Sequence, residues 1–508
     1  MEISGKDIKY SIFNTGDNNT IIFNRQHQLN FIELSAEQRE KYRKGSPDAF
    51  YDGAQPNWAN IAKQDDAPRD IYKEIHTYLT GADGPGYRNA IILAPSGEGK
   101  TTLLMRLAWD LAEADHPVFW YDEIAESDFT LQEVERQFEK PPILCFDDAH
   151  LHLEDIAKLV KSLRREGLPF YTLMAARRFE WRSLNETSQI SGLREFTITK
   201  LSYEEADAII KRLEERNYLG ALEKLDSHEE RIRRLLDRYE NAMNRDTWAA
   251  DGQLLPAMLE VHHDGDFQRI VLSVLEDVKK HEKGDLLLDC YALLAAVHRF
   301  GFWLGREVFF KALTSRRDDT GSMISVMQLL RTDLDGELIE LKESGPRLMT
   351  RHAIIARVAC TLLAERFGYD LTEGVYAPLL EAVAARCDEN PKTPERKLLT
   401  MLPLAYEQDA KQARDEKERQ HLNDLARALH QEALGVIQRH KLQDAVVYQV
   451  AALRAKRDKR FDEARKLFQR GVQADPNHAP SLQAWALMEK DLKRFDEARQ
   501  LFQRGVQA

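Results

Sequence analysis

The feature that most constrains the fold of this chain is the segment from Ile91 to Thr102, IILAPSGEGKTT, in which an apolar run breaks at small residues. The periodic apolar segment Leu103–Leu111 follows, so the sequence predicts a strand, a glycine-containing loop and a helix. The loop matches the phosphate-binding pattern G-x-x-x-x-G-K-S/T, except that Ala94 stands at the first glycine. We therefore expect a nucleoside triphosphate to bind here, and the alternative is a chance glycine turn before a helix.

The residue types of this loop suit a phosphate. Backbone N–H groups that converge at a helix N-terminus match crowded negative charge, and Gly97 and Gly99 let the backbone come close. Lys100 is expected to reach the β- and γ-phosphates, and the Thr101 hydroxyl to complete the shell of a Mg²⁺ ion. Ala94 requires that the site tolerate a Cβ atom. The predicted nucleotide contacts of the loop are Ser96, Gly97, Glu98, Gly99, Lys100, Thr101 and Thr102.

A pair of acidic residues follows a later predicted strand. Pro117–Tyr121 reads as the second strand, and Pro142–Asp148 as a third, whose apolar body ends in two aspartates. Such a strand places its acids at the edge where α/β sheets bind ligands. Asp147 is the expected Mg²⁺ partner, and Asp148 is the candidate base that orients water.

Two arginines follow the fourth predicted strand, Phe170–Ala176. Arg177 or Arg178 can sense a γ-phosphate, because the planar guanidinium gains a partner only when that group is present. One of them can instead pair with Glu180. Phe196–Thr199 is the fifth predicted strand, which closes an α/β core near residue 200.

The segment upstream of the loop, Phe50–Leu79, carries aromatic and proline landmarks. Trp58 is well placed to cover a purine base by stacking, and the alternative is ordinary packing under the sheet. Arg69, close to a predicted helix start, is a further candidate for the nucleotide site. It can equally form an ion pair with Asp70 or Asp66.

Composition limits the class of protein. At 508 residues the chain exceeds one core and suggests three or four units. With 43% hydrophobic and 31% charged residues, no apolar signal core and no run of membrane-spanning length, a cytoplasmic protein without a membrane partner is expected. The net charge of −12 argues against extensive nucleic-acid binding. Four cysteines without C-x-x-C spacing, predicted to be buried thiols, are Cys145, Cys290, Cys360 and Cys387.

The N-terminal segment predicts a β-hairpin. Tyr10–Phe13 and Thr20–Phe23 flank the asparagine- and glycine-rich turn Asn14–Asn19. Three interpretations of this segment remain open, which are a sheet edge, an adhesive segment for self-assembly and a frayed N-terminus.

Beyond residue 200 the pattern is helical. Ser202 is a predicted N-cap, and a break falls at Asp251–Pro256. Between residues 286 and 363 helices combine with a short ribbon, Glu337–Leu341 and Arg347–Thr350, which is compatible with a winged helix.

An internal repeat ends the sequence. Lys459–Arg465 recurs as Lys493–Arg499, and Leu467–Ala474 recurs as Leu501–Ala508. The offset is 34 residues, the tetratricopeptide period. Such repeats stack into a solenoid whose concave face binds partners, and a solenoid needs a polar terminal cap. Because no cap follows the second repeat, we expect further repeats beyond residue 508.

The order of these features along the chain resembles that of the STAND class of signal-transducing NTPases. The features are the phosphate loop, the paired aspartates, the strand-end arginine, the helical lid, the winged helix and the tetratricopeptide repeats. The resemblance spans roughly residues 45–508 and is nearest to the bacterial antiphage branch. It implies a switch in which an ADP-bound closed monomer opens when the repeats capture a trigger, exchanges ADP for ATP, and oligomerises to activate an effector.

The resemblance also implies roles for single residues. The matches are Lys100 and Thr101 with the Walker A pair, Asp147 and Asp148 with the Walker B pair, and Arg177 or Arg178 with the first sensor. Pro256 resembles the G-x-P proline that touches adenine, although Leu254 replaces the glycine. His352 resembles the winged-helix histidine that holds the ADP β-phosphate, and a packed or surface histidine is the alternative.

The predicted architecture is an α/β P-loop NTPase core with a parallel sheet, followed by a helical lid, a winged helix and an all-α solenoid. Its expected domains are an N-terminal segment at 1–45, the NTPase at 46–200, the lid at 201–280, the winged helix at 281–365 and the repeat region at 366–508. Because the first 45 residues are too few for an effector domain, we expect either that they recruit an effector in trans or that the effector lies beyond residue 508.

The leading hypothesis is an ATP- and Mg²⁺-binding, slowly hydrolysing signalling switch in bacterial antiphage defence, which senses a protein trigger and forms homo-oligomers. One alternative is a transcription regulator of the same class that binds DNA through the winged helix. Another is a repeat scaffold with a vestigial ATPase.

Overall fold

The computed structural model describes residues 12–15, 19–22, 31–47, 50–81, 87–122, 140–165, 167, 169–178, 181, 190, 192–243, 254–317, 320–334, 339–341, 347–391, 393–413 and 415–507. The chain divides into two compact units, which are Met1–Pro47 with Pro56–Arg212 (unit 1) and Asp48–Gln55 with Leu213–Ala508 (unit 2). Residues 48–55 thus belong to unit 2, although the sequence places them in the NTPase domain.

The described strands are β1 (Ile12–Thr15), β2 (Asn19–Ile22), β3 (Phe31–Glu33), β4 (Arg88–Ala94), β5 (Val118–Tyr121), β6 (Ile143–Phe146), β7 (Tyr171–Arg177), β8 (Leu193–Thr197), β9 (Leu304–Gly305), β10 (Ile339–Leu341) and β11 (Arg347–Thr350). A six-stranded sheet in the order β3-β5-β6-β7-β4-β8 forms the centre of unit 1. Within it β3 runs antiparallel to β5, and the other neighbours are parallel.

The phosphate-loop strand β4 is central, and all seven of its residues are buried. Its side chains alternate between two apolar cores, with Ala90 and Ile92 in one and Ile91 and Leu93 in the other. This alternation is what a parallel strand covered on both faces requires. Because β6, β7 and β4 are neighbours and parallel, their carboxyl ends meet at one edge of the sheet.

The helices of unit 1 are α1 (Ala36–Lys44), α2 (Trp58–Ala62), α3 (Tyr72–Thr80), α4 (Lys100–Glu113), α5 (Leu153–Arg165) and α6 (Tyr203–Glu215), the last of which crosses into unit 2. Leu103 and Leu107 of α4 belong to the core of one sheet face, and Ile156 and Val160 of α5 to that of the other.

The predicted strands are confirmed with two changes. The fifth strand begins three residues earlier than Phe196, at Leu193. The edge strand β3 was not predicted, because three residues are too short to show an alternating pattern. The hairpin of β1 and β2 is antiparallel, with Ile12 opposite Ile22, and residues 16–18 of its predicted turn lie outside the described residues.

The helices of unit 2 are α7 (His228–Met243), α8 (Leu254–His263), α9 (Phe267–Lys280), α10 (Gly284–His298), α11 (Arg306–Arg316), α12 (Met323–Asp333), α13 (Ala353–Phe367), α14 (Ala377–Glu389), α15 (Leu398–Gln412), α16 (Glu416–Arg439), α17 (Ala445–Arg457), α18 (Phe461–Ala474), α19 (Ala479–Asp491) and α20 (Phe495–Gln507). An antiparallel sheet in the order β10-β11-β9 accompanies α10 to α12, where the sequence predicts a winged helix. Residues 342–346, which join β10 to β11, lie outside the described part of the chain.

The C-terminal region is all-helical and fits a repeat solenoid. Helices α17 and α18 form one repeat and α19 and α20 the next, and Phe461 and Phe495 begin the second helix of each. A Cβ atom on Gly471 would lie 3.4 Å from the Ala445 carbonyl oxygen and 3.4 Å from Ser481 Oγ, so a small residue suits this helix contact.

The four cysteines are buried and free, as predicted. Burial raises the pKa of each thiol, to about 11 for Cys387 and about 12 for Cys290. These thiols are therefore protonated at neutral pH. Within the described part of the chain, every helix is too short or too polar to cross a lipid bilayer.

Candidate nucleotide-binding site

The loop between β4 and α4 has the backbone that its sequence predicts. Gly97 and Gly99 have φ angles of 82° and 78°, in the left-handed region that residues with a Cβ rarely adopt. At Gly99 an added Cβ would meet nothing within 4 Å, so the backbone angle and not the space requires glycine. Ala94, which departs from the pattern, is the last residue of β4, and a strand position accepts a Cβ.

The two residues that end the loop begin α4. Lys100 is 7% exposed, and its Nζ donates a hydrogen bond to the Pro95 carbonyl 2.6 Å away, across the loop. A buried ammonium needs polar partners, and a bound phosphate would provide stronger ones. Glu98 is also buried. Ser96, Gly97, Gly99, Thr101 and Thr102 are half-buried.

Thr101 connects the loop to the acidic strand end. Its Oγ1 donates a hydrogen bond to Asp147 Oδ2 at 2.9 Å, although the two residues lie 46 positions apart. Among the described residues, nothing forms a hydrogen bond with Asp147 Oδ1, which is buried. Hydroxyl and carboxylate oxygens are the ligands that Mg²⁺ prefers, so Thr101 and Asp147 fit this ion.

The two aspartates differ in charge behaviour. Burial, and then the charge of Asp148, raise the pKa of Asp147 well above its usual value. Burial also tends to raise the pKa of Asp148. The positive charges of His150, Arg177 and Lys100 outweigh that effect and leave the pKa of this second carboxyl below its usual range. Asp148 is therefore ionised at neutral pH, as a group that orients water must be.

Asp148 also has an unusual backbone. Its φ of 43° lies in the left-handed region, which aspartate and asparagine tolerate better than most residues. The short 3-10 turn Ala149–Leu151 follows, and it brings buried His150 back so that Nδ1 lies 3.9 Å from Asp148 Oδ1. His150 was not predicted from the sequence. Its position two residues after the acidic pair is the signal that could have indicated it.

The two candidate arginines differ in position. Arg177 ends β7 directly beside Ala94 of β4 and is 7% exposed. Its positive charge helps to lower the pKa of Asp148, so it lies near the acidic end of β6. Arg178 is exposed. Glu180, the alternative ion-pair partner, lies outside the described residues.

Trp58 lies in a cluster of aromatic rings. It stacks on Tyr42 and Trp109, with ring centroids 5.7 Å and 6.4 Å away, and meets Trp120 edge-on at 5.0 Å. Trp109 is nine residues beyond Lys100, which is about 14 Å along the helix. These contacts favour packing over base stacking for Trp58.

Arg69 has a partner that the sequence did not indicate. Its Nε lies 3.0 Å from Glu205 Oε1, and both side chains are buried. The backbone N–H of Asp70 donates to the same oxygen at 2.9 Å. Asp66 instead binds Arg106, so both predicted ion pairs of Arg69 are wrong. Within the described chain, Nη1 and Nη2 of Arg69 are buried without a hydrogen-bond partner.

Pro256 and His352 belong to unit 2. Pro256 is buried in the first turn of α8. His352 is the N-cap of α13, because its Nδ1 accepts a hydrogen bond of 3.1 Å from the Ile354 N–H. Sequence reasoning missed this capping role, and the nucleotide contacts of both residues stay predictions.

A phosphate loop between a buried parallel strand and a helix, with its threonine bound to an aspartate at a neighbouring strand end, defines a P-loop NTPase. Residues 48–189 match the family model described as Novel STAND NTPase 5. This match confirms the resemblance to STAND-class NTPases over the nucleotide-binding domain. A search of curated proteins found no match.

Three solved structures show weak similarity. A STAND protein with a tetratricopeptide repeat sensor from Pyrococcus horikoshii is 15% identical, with 87% of this chain and 65% of that chain covered and a TM-score of 0.32. RuvB from Thermotoga maritima is 17% identical over 56% of this chain and 92% of that one, with a TM-score of 0.25. The ADP complex of S. cerevisiae Hsp104 is 12% identical over 85% and 48%, with a TM-score of 0.24. This chain therefore spans less than two thirds of the Pyrococcus protein. With TM-scores this low, none of the three structures supports an argument about the function of this chain.

Proposed function

We propose that this protein is a nucleotide-gated signalling switch that binds ATP with Mg²⁺, hydrolyses it slowly to reset, and oligomerises when a trigger opens it. The observation that carries the proposal is the hydrogen bond from Thr101 Oγ1 to Asp147 Oδ2, because it brings together two groups that bind a metal–triphosphate. The role in bacterial antiphage defence and the cytoplasmic location rest on the sequence resemblance.

Each group of the site has a proposed task. Lys100 binds the phosphates, and Thr101 and Asp147 would hold Mg²⁺, which supplies charge neutralisation for the triphosphate. Asp148 orients the attacking water, since nearby positive charges hold its pKa low enough to keep it ionised. Arg177 contacts the γ-phosphate when that group is present. Arg69 binds the nucleotide through its guanidinium nitrogens Nη1 and Nη2, which are buried.

The switch itself depends on differential affinity. A trigger opens the protein only by binding the open form more tightly, and a change from mostly closed to mostly open needs about 5 kcal/mol of such preference. We propose that the repeats provide that trigger surface, and that Pro256 and His352 contact the nucleotide in the closed form.

We also propose that α10 to α12 with β9 to β11 form a winged helix, supported by the order of these elements along the chain. In α12 the exposed side chains are Ile324, Ser325, Gln328, Arg331 and Thr332. One positive charge on this face is too little for a helix that binds DNA phosphates. A protein-contact role is therefore preferred over DNA binding.

Substitution of Lys100 tests the proposal. Lys100→Ala is expected to abolish ATP binding, measured by isothermal titration calorimetry, because the main positive charge toward the phosphates is removed. Lys161→Ala on α5 is the matched control, since Lys161 is exposed and should leave affinity unchanged. A folded Lys100→Ala protein that still binds ATP with wild-type affinity would overturn the proposal.

A further inference from the structure

A short segment upstream of the phosphate loop packs inside unit 2. The chain leaves unit 1 after Pro47 and returns to it at Pro56, so residues 48–55 are joined covalently to unit 1 at both ends. We define the clip as the described part of this segment, Phe50–Gln55. Its partners in unit 2 come from two parts of the sequence, the lid and the predicted winged helix.

Asp52 provides the polar contacts at the centre of the clip. The Tyr218 hydroxyl, in the lid, donates a hydrogen bond to Asp52 Oδ1. On the other side, Arg351 of the predicted winged helix is buried, and its Nη2 lies 4.0 Å from Asp52 Oδ2. A single carboxylate therefore has one partner in the lid and one in the winged helix.

Gly53 provides the apolar contact of the clip. Its φ angle is 85°, in the left-handed region that residues with a Cβ rarely adopt. An added Cβ would also lie 3.3 Å from Ile355 Cδ1 of α13 and 3.4 Å from Leu255 Cδ1 of α8. Both the backbone angle and the space therefore require glycine at this position, where the backbone lies against a lid helix and a winged-helix helix together.

The two ends of the clip contact different parts of unit 2. The ring of Tyr51 packs on the ring of Tyr218 in the lid, with centroids 5.3 Å apart and an interplanar angle of 32°. Gln55 Nε2 lies 3.3 Å from Nε2 of His298, a buried residue at the end of α10. The clip thus runs from the lid at its first residues to the winged helix at its last.

The clip is attached at a surface and is not part of a core. Of its six residues Gly53 is buried, and the other five are half-buried. Such a segment can detach without exposing a large apolar core, as segments of low local stability do. A reversible contact is therefore favoured over a permanent one.

We propose that the clip is a regulatory restraint, which holds the lid and the winged helix together in the closed form and is released when the protein opens. The inference rests on the proposed switch. Two of the residues that the clip contacts precede the proposed nucleotide contacts of the closed form, since Leu255 precedes Pro256 and Arg351 precedes His352. Release of the clip therefore loosens both nucleotide contacts at once.

Gly53→Ala in the full chain tests the restraint, because its new Cβ meets Ile355 and Leu255 on a left-handed backbone. Hydrogen–deuterium exchange of the nucleotide-free protein, read by mass spectrometry, is the first measurement. Exchange should be at least about fivefold faster in the clip, because alanine at a positive φ destabilises the local structure. It should also be faster in α8 and at the start of α13.

Gly167→Ala is the matched control. Gly167 has a φ of 73° and an added Cβ there would meet nothing within 4 Å, so the variant shares the backbone cost without the contact. It should exchange as the wild type does in the clip, α8 and α13. Asp52→Asn is a second test variant, because Asp52 is half-buried and the substitution keeps its shape while it removes the charge that faces Arg351.

Sedimentation velocity with ATP and Mg²⁺, and with no trigger present, is the second measurement. Gly53→Ala should form oligomers under these conditions, whereas the wild type and Gly167→Ala should stay monomeric. Faster exchange confined to the clip, with unchanged α8 and α13 in both Gly53→Ala and Asp52→Asn, would overturn the proposal. So would a Gly53→Ala protein that binds ATP, exchanges faster in both helices and stays monomeric. A wild type that binds no ATP would instead refute the proposed switch, and the exchange measurement, which needs no nucleotide, would still decide whether the clip restrains the two helices.

Discussion

A buried carboxylate joins three helices at the start of the repeat region and permits a quantitative prediction. Glu407 of α15 is 3% exposed. Its Oε1 lies 2.9 Å from His430 Nε2 of α16 and 3.2 Å from Arg454 Nη1 of α17, and Arg457 pairs with Oε2. Glu407→Gln keeps the shape of the side chain and removes the negative charge that Arg454 and Arg457 share.

The size of the effect follows from the pKa of Glu407. Burial tends to raise this pKa, but the hydrogen bonds of His430 and Arg457 and their charges lower it from 4.5 to about 2. A pKa that is lower by about 2.5 in the folded state corresponds to about 3 kcal/mol of stability. Because the folded pKa is depressed, this stability is present above pH 4.5 and is lost as the pH falls toward 2.

Urea unfolding of the full chain, followed by circular dichroism, measures the effect. At pH 7 Glu407→Gln should lose about 3 kcal/mol, which agrees with the cost of breaking a buried ion pair. The control is Glu416→Gln, because Glu416 pairs with Arg419 at the surface and should change stability by less than about 0.5 kcal/mol. Between pH 4.5 and 2.5 the wild type should lose its advantage over Glu407→Gln. A loss of unfolding free energy below about 1 kcal/mol at pH 7 would refute the reasoning. So would a difference in unfolding free energy between the wild type and Glu407→Gln that stays constant in acid.

Three further predictions concern the nucleotide site. Asp148→Asn, which preserves the tolerance for a left-handed backbone, should slow hydrolysis, retain ATP and favour oligomers; gel filtration that shows only monomers with ATP would contradict it. Arg177→Gln should reduce ATP turnover, whereas Arg178→Gln should leave it unchanged because Arg178 is exposed; equal effects in a phosphate-release assay would count against the assignment. Trp58→Ala should cost about 2–3 kcal/mol of unfolding free energy with ATP affinity within about twofold of the wild type, and the opposite result would restore its predicted base contact.

The sequence predicts those parts of the fold that depend on short-range pattern. The strand before Ala94, the two loop glycines and the helix from Lys100 follow from one segment of the chain, in which the apolar pattern and the glycine positions agree. The repeat was predicted for the same reason, because its residues recur at a fixed offset.

The parts that the sequence did not predict depend on contacts between distant residues. Arg69 has two acidic neighbours in sequence, yet its partner Glu205 lies more than a hundred positions away and is reached only through the fold. Trp58 stands upstream of the loop, but whether its ring faces a base or Trp109 is decided by the packing of α2 on α4. Local pattern cannot distinguish such alternatives.

The burial of all four cysteines gives the molecule a practical property. Their thiols are shielded and protonated at neutral pH, so they should not react with maleimide dyes in the folded protein. One cysteine introduced on the surface of each unit can then carry a donor and an acceptor fluorophore without removal of the native residues. Single-molecule energy transfer with ADP, with ATP and without nucleotide would report directly whether the two units change their separation.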